Sequence, residues 1–315
     1  MAKPLKIVIL GGTGFVGRAL VHALQAAGHT VDVLSRNRET QRELGVYERV
    51  RTLSSNVYSV AALTRHMFDA DAVINLVGVL QNNGFGGKDF ERAHLTLTET
   101  VIAAMHKAGV RRLLQMSSLR AGEGDSHYLR TRGLAEARVK ASGLDWTLFQ
   151  PSVIFGPGDG LFCRFAPMLK LLPVVPLARA NARFQPVYVK QVAQAFLSAL
   201  MRPDSIGKTY PLVGPKTYTL AELVRYTAQV LGVKRLVLPL PDFIGRLQGL
   251  AFDVLPAALK PFSSDNFRSL ALDSVSDRNG LADLGIQPTP LELVVPDYLD
   301  GSEHQRRLDA YRAGR

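Results

Sequence analysis

The chain has 315 residues, 47% of them hydrophobic, and a formal net charge of +11; that is room for a large domain with a sizeable core, or for a nucleotide domain with a smaller companion. Its one cysteine, Cys163, excludes an internal disulfide framework and fits a reducing, cytoplasmic setting. The positive balance suits an anionic ligand, an acidic partner or a membrane surface, whereas scattered basic residues without a Lys/Arg tract make nucleic acid an unexpected partner.

The first predicted strand is Ile7 to Leu10, an apolar run of the kind a buried parallel strand needs. Met1–Pro4 leads straight into it, which leaves no expected signal peptide. The turn that follows is Gly11-Gly12-Thr13-Gly14-Phe15-Val16-Gly17. Val16, Ala19, Leu20, Ala23, Leu24 and Ala27 then recur on one helix face, and Gly28 stands at the helix end. A helix start leaves backbone N–H groups unpaired and partially positive. Glycines there let the backbone approach a pyrophosphate. The stretch therefore predicts a dinucleotide cradle; a plain glycine-rich turn packing helix on sheet is the competing reading.

The second strand is Thr30 to Ser35, followed by Arg36-Asn37-Arg38. An NAD site usually places an acid there for the ribose 2′-hydroxyl, whereas two guanidiniums suit a 2′-phosphate. NADP(H) is thus favoured and NAD(H) kept open; solvated loop charges are the bland alternative. Asp32 lies within the strand rather than at its end. Strands are expected at 50–53 and 72–76. Asn56, after the former, suits either an adenine contact or a simple turn. Leu76, Val77, Gly78 and Val79 lie at the C-terminal end of the latter, where open α/β sheets bind ligands.

Gln81 to Lys88 is a polar, glycine-rich loop, and 90–108 reads as a long helix. His94 and His106 on it have no ligand partners at metal spacing, so no metal is expected. Ser117 and Ser118 end the strand 113–116. Tyr128 and Arg132 share a helix face one turn apart, and a cation so placed favours phenolate, giving an acid–base pair.

These pieces resemble the short-chain dehydrogenase/reductase superfamily. GGTGFVG at 11–17, INLVG at 74–78, YLRTR at 128–132 and SGLDWTLFQPSVIFGPGDG at 142–160 carry the resemblance, with QPVYVKQVAQAF at 185–196. YPLVGPKTYTLAELV at 210–224 and LGIQPTPLE at 284–292 extend it. Within the superfamily the chain looks like the atypical, epimerase/dehydratase-like branch that holds the NADPH-binding accessory subunit of respiratory complex I and its bacterial relatives. The resemblance implies a doubly wound Rossmann sheet with a smaller C-terminal α+β lobe. It also implies that Pro151 and Val153 pass the nicotinamide end. The chemistry implied is hydride transfer to a carbonyl or quinone-like acceptor. Three departures stand out: Arg132 replaces the family lysine, His94 stands where relatives often carry Asn, and Leu119 aligns with the usual active-site serine.

The expected division is 1–157 for the Rossmann domain, with 185–202 returning to it. Residues 158–184 and 203–300 form the smaller lobe, and 301–315 a polar tail. The apolar run 161–177 reads as a core helix, or else as a pocket wall or a membrane or partner contact. Thr219 to Glu222 is a capping box. The second apolar segment, 236–262, flanked by Arg246 and Lys260, suits an amphipathic, membrane-surface role. A non-catalytic accessory protein of a respiratory or quinone pathway, peripheral on the inner membrane face, is the second functional expectation. A nucleotide-sugar epimerase is the third.

Overall fold

The computed structural model describes residues 3–35, 42–83, 86–254 and 262–299. Arg36, Asn37 and Arg38, Lys260 and the 301–315 tail lie outside the described residues.

The first half alternates strand and helix: β1 Lys6–Leu10, α1 Phe15–Ala26, β2 Thr30–Ser35, β3 Val50–Ser54, α2 Val60–Met67 and β4 Ala72–Asn75. A short α3, Lys88–Phe90, runs through a π-helical turn, Glu91–Thr96, into α4 Leu97–Ala108. Then come β5 Arg112–Met116, α5 His127–Lys140 and β6 Asp145–Pro151. Seven strands form one parallel sheet in the order β11-β6-β5-β4-β1-β2-β3, with β11 at Lys208–Leu212. The order reverses between β1 and β4, which opens a crevice at their C-terminal ends.

Strand pleating explains the two cores. Ile7 and Ile9 of β1 face the layer built on α1, while Val8 and Leu10 face α2 and α4. Both faces are covered, so β1 is fully apolar rather than alternating. The helix 189–200, named α7 below, packs on α1 and puts Val192, Ala193 and Phe196 into the first core.

The smaller lobe takes β7 Ile154–Phe155, α6 Phe162–Leu171, β8 Val174–Leu177, β9 Arg183–Phe184 and β10 Val187–Tyr188, before α7 Val189–Leu200. After β11 follow β12 Tyr218–Thr219, α8 Leu220–Val230, β13 Leu236–Pro239 and α9 Asp242–Phe252. The last elements are α10 Ser264–Ser269, α11 Gly280–Asp283 and α12 Val295–Leu299. Leu169, Val175, Val224 and Val237 form one lobe cluster, and Phe155, Phe162, Leu223 and Val295 another.

The sequence assigns 203–300 to the lobe, but β11 inside that segment pairs with β6 at the edge of the main sheet. Strand pairing is non-local and leaves no trace in a short segment such as KTYPL. In the returning segment 185–202, β10 pairs with β7 outside the main sheet, while Val187 and α7 enter the core of the nucleotide domain. The apolar run 161–177 splits into α6 and β8.

The capping box is present: Thr219 Oγ1 accepts the Glu222 N–H at 3.2 Å, and Glu222 accepts the Thr219 N–H at 2.7 Å. The Thr219 N–H and the Thr219 hydroxyl, both donating to the carboxylate, hold Glu222 below the usual carboxylate range. Thr219→Ala is expected to lower unfolding stability by about 1 kcal/mol, read from the urea midpoint at unchanged slope.

Candidate cofactor and reaction site

The turn after β1 is as tight as its composition requires. Gly11 has φ +80°, a left-handed conformation that favours glycine. Gly14 donates to Gly11 O at 3.1 Å and opens α1. A Cβ on Gly17 would lie 2.5 Å from Gly12 Cα and closer still to Gly11 O. Helix and turn therefore touch through backbone alone. Gly12 is buried, and Gly14 caps α1 without a side-chain hydrogen bond. The first-turn N–H groups are left pointing at the crevice with the positive end of the helix dipole. Thr13, Phe15 and Val16 are partly exposed along the rim. The glycines hold helix, turn and neighbouring strand in close contact, which keeps the helix start bare of side chains, as a pyrophosphate cradle requires.

The opposite wall is the segment after β4. Leu76 N donates to Leu10 O at 2.9 Å, and Asn75 Oδ1 accepts the Val77 N–H at 3.1 Å. Buried Asn75 also donates to Gln115 Oε1 at 3.0 Å. This pair turns the chain so that Val77 passes the glycine turn, 3.1 Å from where a Gly11 Cβ would stand. Val79 N donates to His94 Nε2 at 3.3 Å, and His94 Nδ1 meets Thr131 Oγ1 at 2.8 Å. Since Nε2 accepts, Nδ1 carries the proton. Burial, then the nearby Arg132 charge, push the His94 pKa down to about 2, so the ring is neutral.

Tyr128 and Arg132 come together on α5. The Arg132 Cζ lies 5.5 Å from the Tyr128 ring centre. Arg132 is 5% exposed and donates to Met116 O at 3.0 Å. Its Nη2 fills the space that a Gly78 Cβ would need. Arg132 Nε and the hydroxyls of Ser117 and Ser118 are buried without hydrogen-bond partners among the described residues. One turn on, Glu136 is already engaged by Gln150 at 2.7 Å and Lys140 at 3.3 Å. Arg132 is thus a buried cation with no carboxylate partner among the described residues. An isolated buried charge is costly, and Arg132 could hold anionic or polar ligand atoms here.

The smaller lobe fixes the start of α5. Asp265 accepts the N–H groups of His127 at 2.7 Å and Tyr128 at 3.1 Å, while Ser126 Oγ accepts that of Leu129 at 3.1 Å. Gln81 Nε2 donates to Asn266 Oδ1 at 3.1 Å, tying the loop after β4 to α10. A cavity of about 90 Å³ lies here between Asn82, Phe90, His127, Asp265 and Arg268.

Other sequence candidates stand as follows. Asn56 Oδ1 accepts the Tyr58 N–H at 3.1 Å, an Asx turn that leaves its amide nitrogen outward. Asp32 is clasped by Arg51 through two bonds of 2.7 Å. Pro151 is buried and accepts the Leu119 N–H at 3.1 Å, and Val153 is partly buried behind it. Leu119, in the usual serine position, is 7% exposed. Among the described residues no group of His, Cys, Asp and Glu is arranged to hold a metal, and no helix is long and apolar enough to cross a membrane.

Sequence reasoning missed the roles of His94, Thr131 and Asp265. A signal for His94 existed: Phe90, Ala93, Leu97 and Val101 place it on the apolar face, where a polar ring needs partners. Asp265 had none, because it lies 138 residues from the helix it caps.

Comparison with known proteins agrees with this geometry. A protein-family model described as NAD(P)H-binding matches residues 11–160. The rat mitochondrial NADH dehydrogenase [ubiquinone] 1 alpha subcomplex subunit 9 is 30% identical over 296 residues, covering 90% of this chain and 77% of that one. The ceramide reductase of Caulobacter vibrioides is 29% identical over 238 residues, covering 75% and 74%. Among solved structures, UDP-glucose 4-epimerase of Thermotoga maritima superposes with a TM-score of 0.75 at 15% identity, covering 96% of this chain and 99% of that one. The dTDP-glucose 4,6-dehydratase DesIV of Streptomyces venezuelae, with NAD bound, gives 0.73 at 17% identity, covering 96% and 98%. Those two likenesses are of fold alone. This chain belongs to the NAD(P)H-binding, atypical short-chain dehydrogenase/reductase family that includes the mitochondrial complex I subunit.

Proposed function

We propose that the protein is an NADP(H)-dependent reductase of an apolar carbonyl or quinone-like substrate. The observation that carries this reading is the buried, carboxylate-free Arg132 beside Tyr128, with the unpartnered Ser117 and Ser118 hydroxyls. Gly11, Gly12 and Gly14 to Gly17 would hold the pyrophosphate, and Gly78 would let Arg132 stand beside the Val77–Val79 segment that the nicotinamide half passes. A reduced nicotinamide, when bound, supplies hydride to a carbonyl carbon. Tyr128 then gives its phenolic proton to the carbonyl oxygen. Arg132 donates to ribose hydroxyls beside Tyr128, and the two serine hydroxyls orient the acceptor. The preference for NADP(H) rests on Arg36 and Arg38. The Asp32–Arg51 pair supports it, since that acid is taken.

The test is titration calorimetry with NADPH and NADH, followed by NADPH oxidation with a panel of quinones and apolar carbonyls. Tyr128→Phe is expected to cut turnover by about 10²–10⁴-fold while NADPH affinity stays within a factor of a few. Retained NADPH without turnover across the panel overturns the catalytic part. It favours the second reading, a nucleotide-binding accessory subunit with a respiratory partner. Arg132 in place of lysine and the buried Leu119 are the features on that side.

A further inference from the structure

The helix α9 is held to the protein by glycines. A Cβ on Gly245 would stand 2.8 Å from Ala178 Cβ, and one on Gly249 would stand 3.0 Å from the Ser264 backbone. At one residue per 100°, Phe243, Leu247 and Leu250 fall within about 60° of one another on the far side, and Val254 follows in the turn just past the helix. They are 74%, 67%, 43% and 74% exposed. Rolling the helix to bury them would drive a Phe or Leu into space that only glycine fits. Their exposure is therefore imposed by the packing.

The ribbon that feeds α9 repeats the arrangement. β13 pairs with β8 so that Leu236 lies opposite Val174 and Leu238 opposite Pro176. These four are exposed, while Val175 and Val237 on the other face enter the lobe core.

Basic side chains surround this surface, with Asp125 and Asp242 as exposed acids among them. Arg246 on α9 and Arg268 on α10 are exposed and form no ion pair among the described residues. With Leu250 and Phe267 they line a cavity of about 280 Å³ that also meets Asp125. Lys170 and Lys234 flank the ribbon. The acids of this helix end are occupied: Asp242 pairs with Arg179 at 2.8 Å, and buried Asp253 accepts the Ser264 N–H. A second copy would bring the same basic rim on a chain of net charge +11, so self-association is opposed.

We propose that this face docks on an anionic lipid bilayer. α9 lies in the interface plane with Phe243, Leu247 and Val254 in the headgroup–acyl boundary, and Arg246 and Arg268 on lipid phosphates. This docking is independent of whether the nucleotide site turns over.

The experiment is flotation of the full chain with two kinds of vesicle, phosphatidylcholine alone and phosphatidylcholine mixed with phosphatidylglycerol. Binding to the mixed vesicles is expected, falling with added salt and at least about tenfold weaker on phosphatidylcholine alone. The Phe243→Ser/Leu247→Ser variant is expected to lose about tenfold or more in partitioning, with melting temperature and NADPH affinity unchanged. Arg246→Gln with Arg268→Gln is expected to abolish the preference for phosphatidylglycerol. Absence of wild-type flotation, or equal flotation of the ridge variant, overturns the proposal. A dimer in sedimentation that Phe243→Ser dissociates also overturns it, in favour of a second copy as the occupant.

Discussion

Gly17→Ala is expected to weaken NADPH binding at least about tenfold and to destabilise the fold by about 3 kcal/mol. Ordinarily the change would help, because alanine exceeds glycine in helix interiors by about 1 kcal/mol. Here the sign reverses. The added carbon meets Gly12 Cα at 2.5 Å, and backbone cannot swing aside as a side chain can. Either α1 lifts off the turn or the turn moves, and both misplace the N–H groups that face the pyrophosphate. The neighbouring glycines supply a graded control. At Gly12 a Cβ meets Val33 Cγ1 at 2.8 Å, a side-chain contact that can adjust. At Gly14 it meets Gly11 O at 3.3 Å, which needs a shift of only a few tenths of an ångström. Calorimetry and urea melts should rank the damage Gly17, Gly12, Gly14. Equal loss at all three would mean that the motif acts otherwise than through this contact.

The same glycine turn shows what a sequence can disclose. Strand, turn and helix there span 21 consecutive residues from Lys6 to Ala26, and each step is fixed by neighbours a few positions away. The crevice it opens onto is a different matter. It exists because β4 rather than β2 lies on the other side of β1, and no local pattern encodes that order. Tyr128 and Arg132 were legible as a pair from their spacing. That Arg132 has no carboxylate partner among the described residues was not, since it depends on Glu136 being spent on Gln150 and Lys140. In α9 the period of the apolar residues announces a helix but not the direction they face. Two glycine contacts to Ala178 and Ser264 decide that, and both arise from chain segments distant in sequence or bent back by the fold. Arg36 and Arg38 lie outside the described residues, so the expectation for the cofactor's adenine end stays that of the sequence.

His94 should make the protein acid-sensitive in a way that one substitution removes. The ring is 1% exposed and neutral, accepting the Val79 N–H through Nε2 and facing Thr131 through Nδ1. Protonating Nε2 would break the bond to Val79 and place a second buried cation near Arg132. The folded pKa is therefore lowered to about 2, against about 6.5 in the unfolded chain. The unfolded state thus binds a proton that the folded state refuses. The stability held by neutral His94 is complete above about pH 6.5 and is lost as pH falls towards 2. A single group of this kind contributes a slope of about 1.4 kcal/mol per pH unit, or roughly 2 kcal/mol between pH 6.5 and 5. Burial also lowers the pKa of His29 and His66, so the wild-type slope sums several groups. The comparison that isolates His94 is the difference in unfolding free energy between pH 7 and pH 5 in wild type and in His94→Gln. Glutamine keeps one acceptor for Val79 and one donor for Thr131 but cannot titrate, so its stability should fall less steeply with acid, whatever it costs at pH 7. Parallel pH profiles would mean that His94 is charged, or solvated, in the folded protein. The link it makes between the cofactor wall at Val79 and the helix carrying Tyr128 would then have to be redrawn.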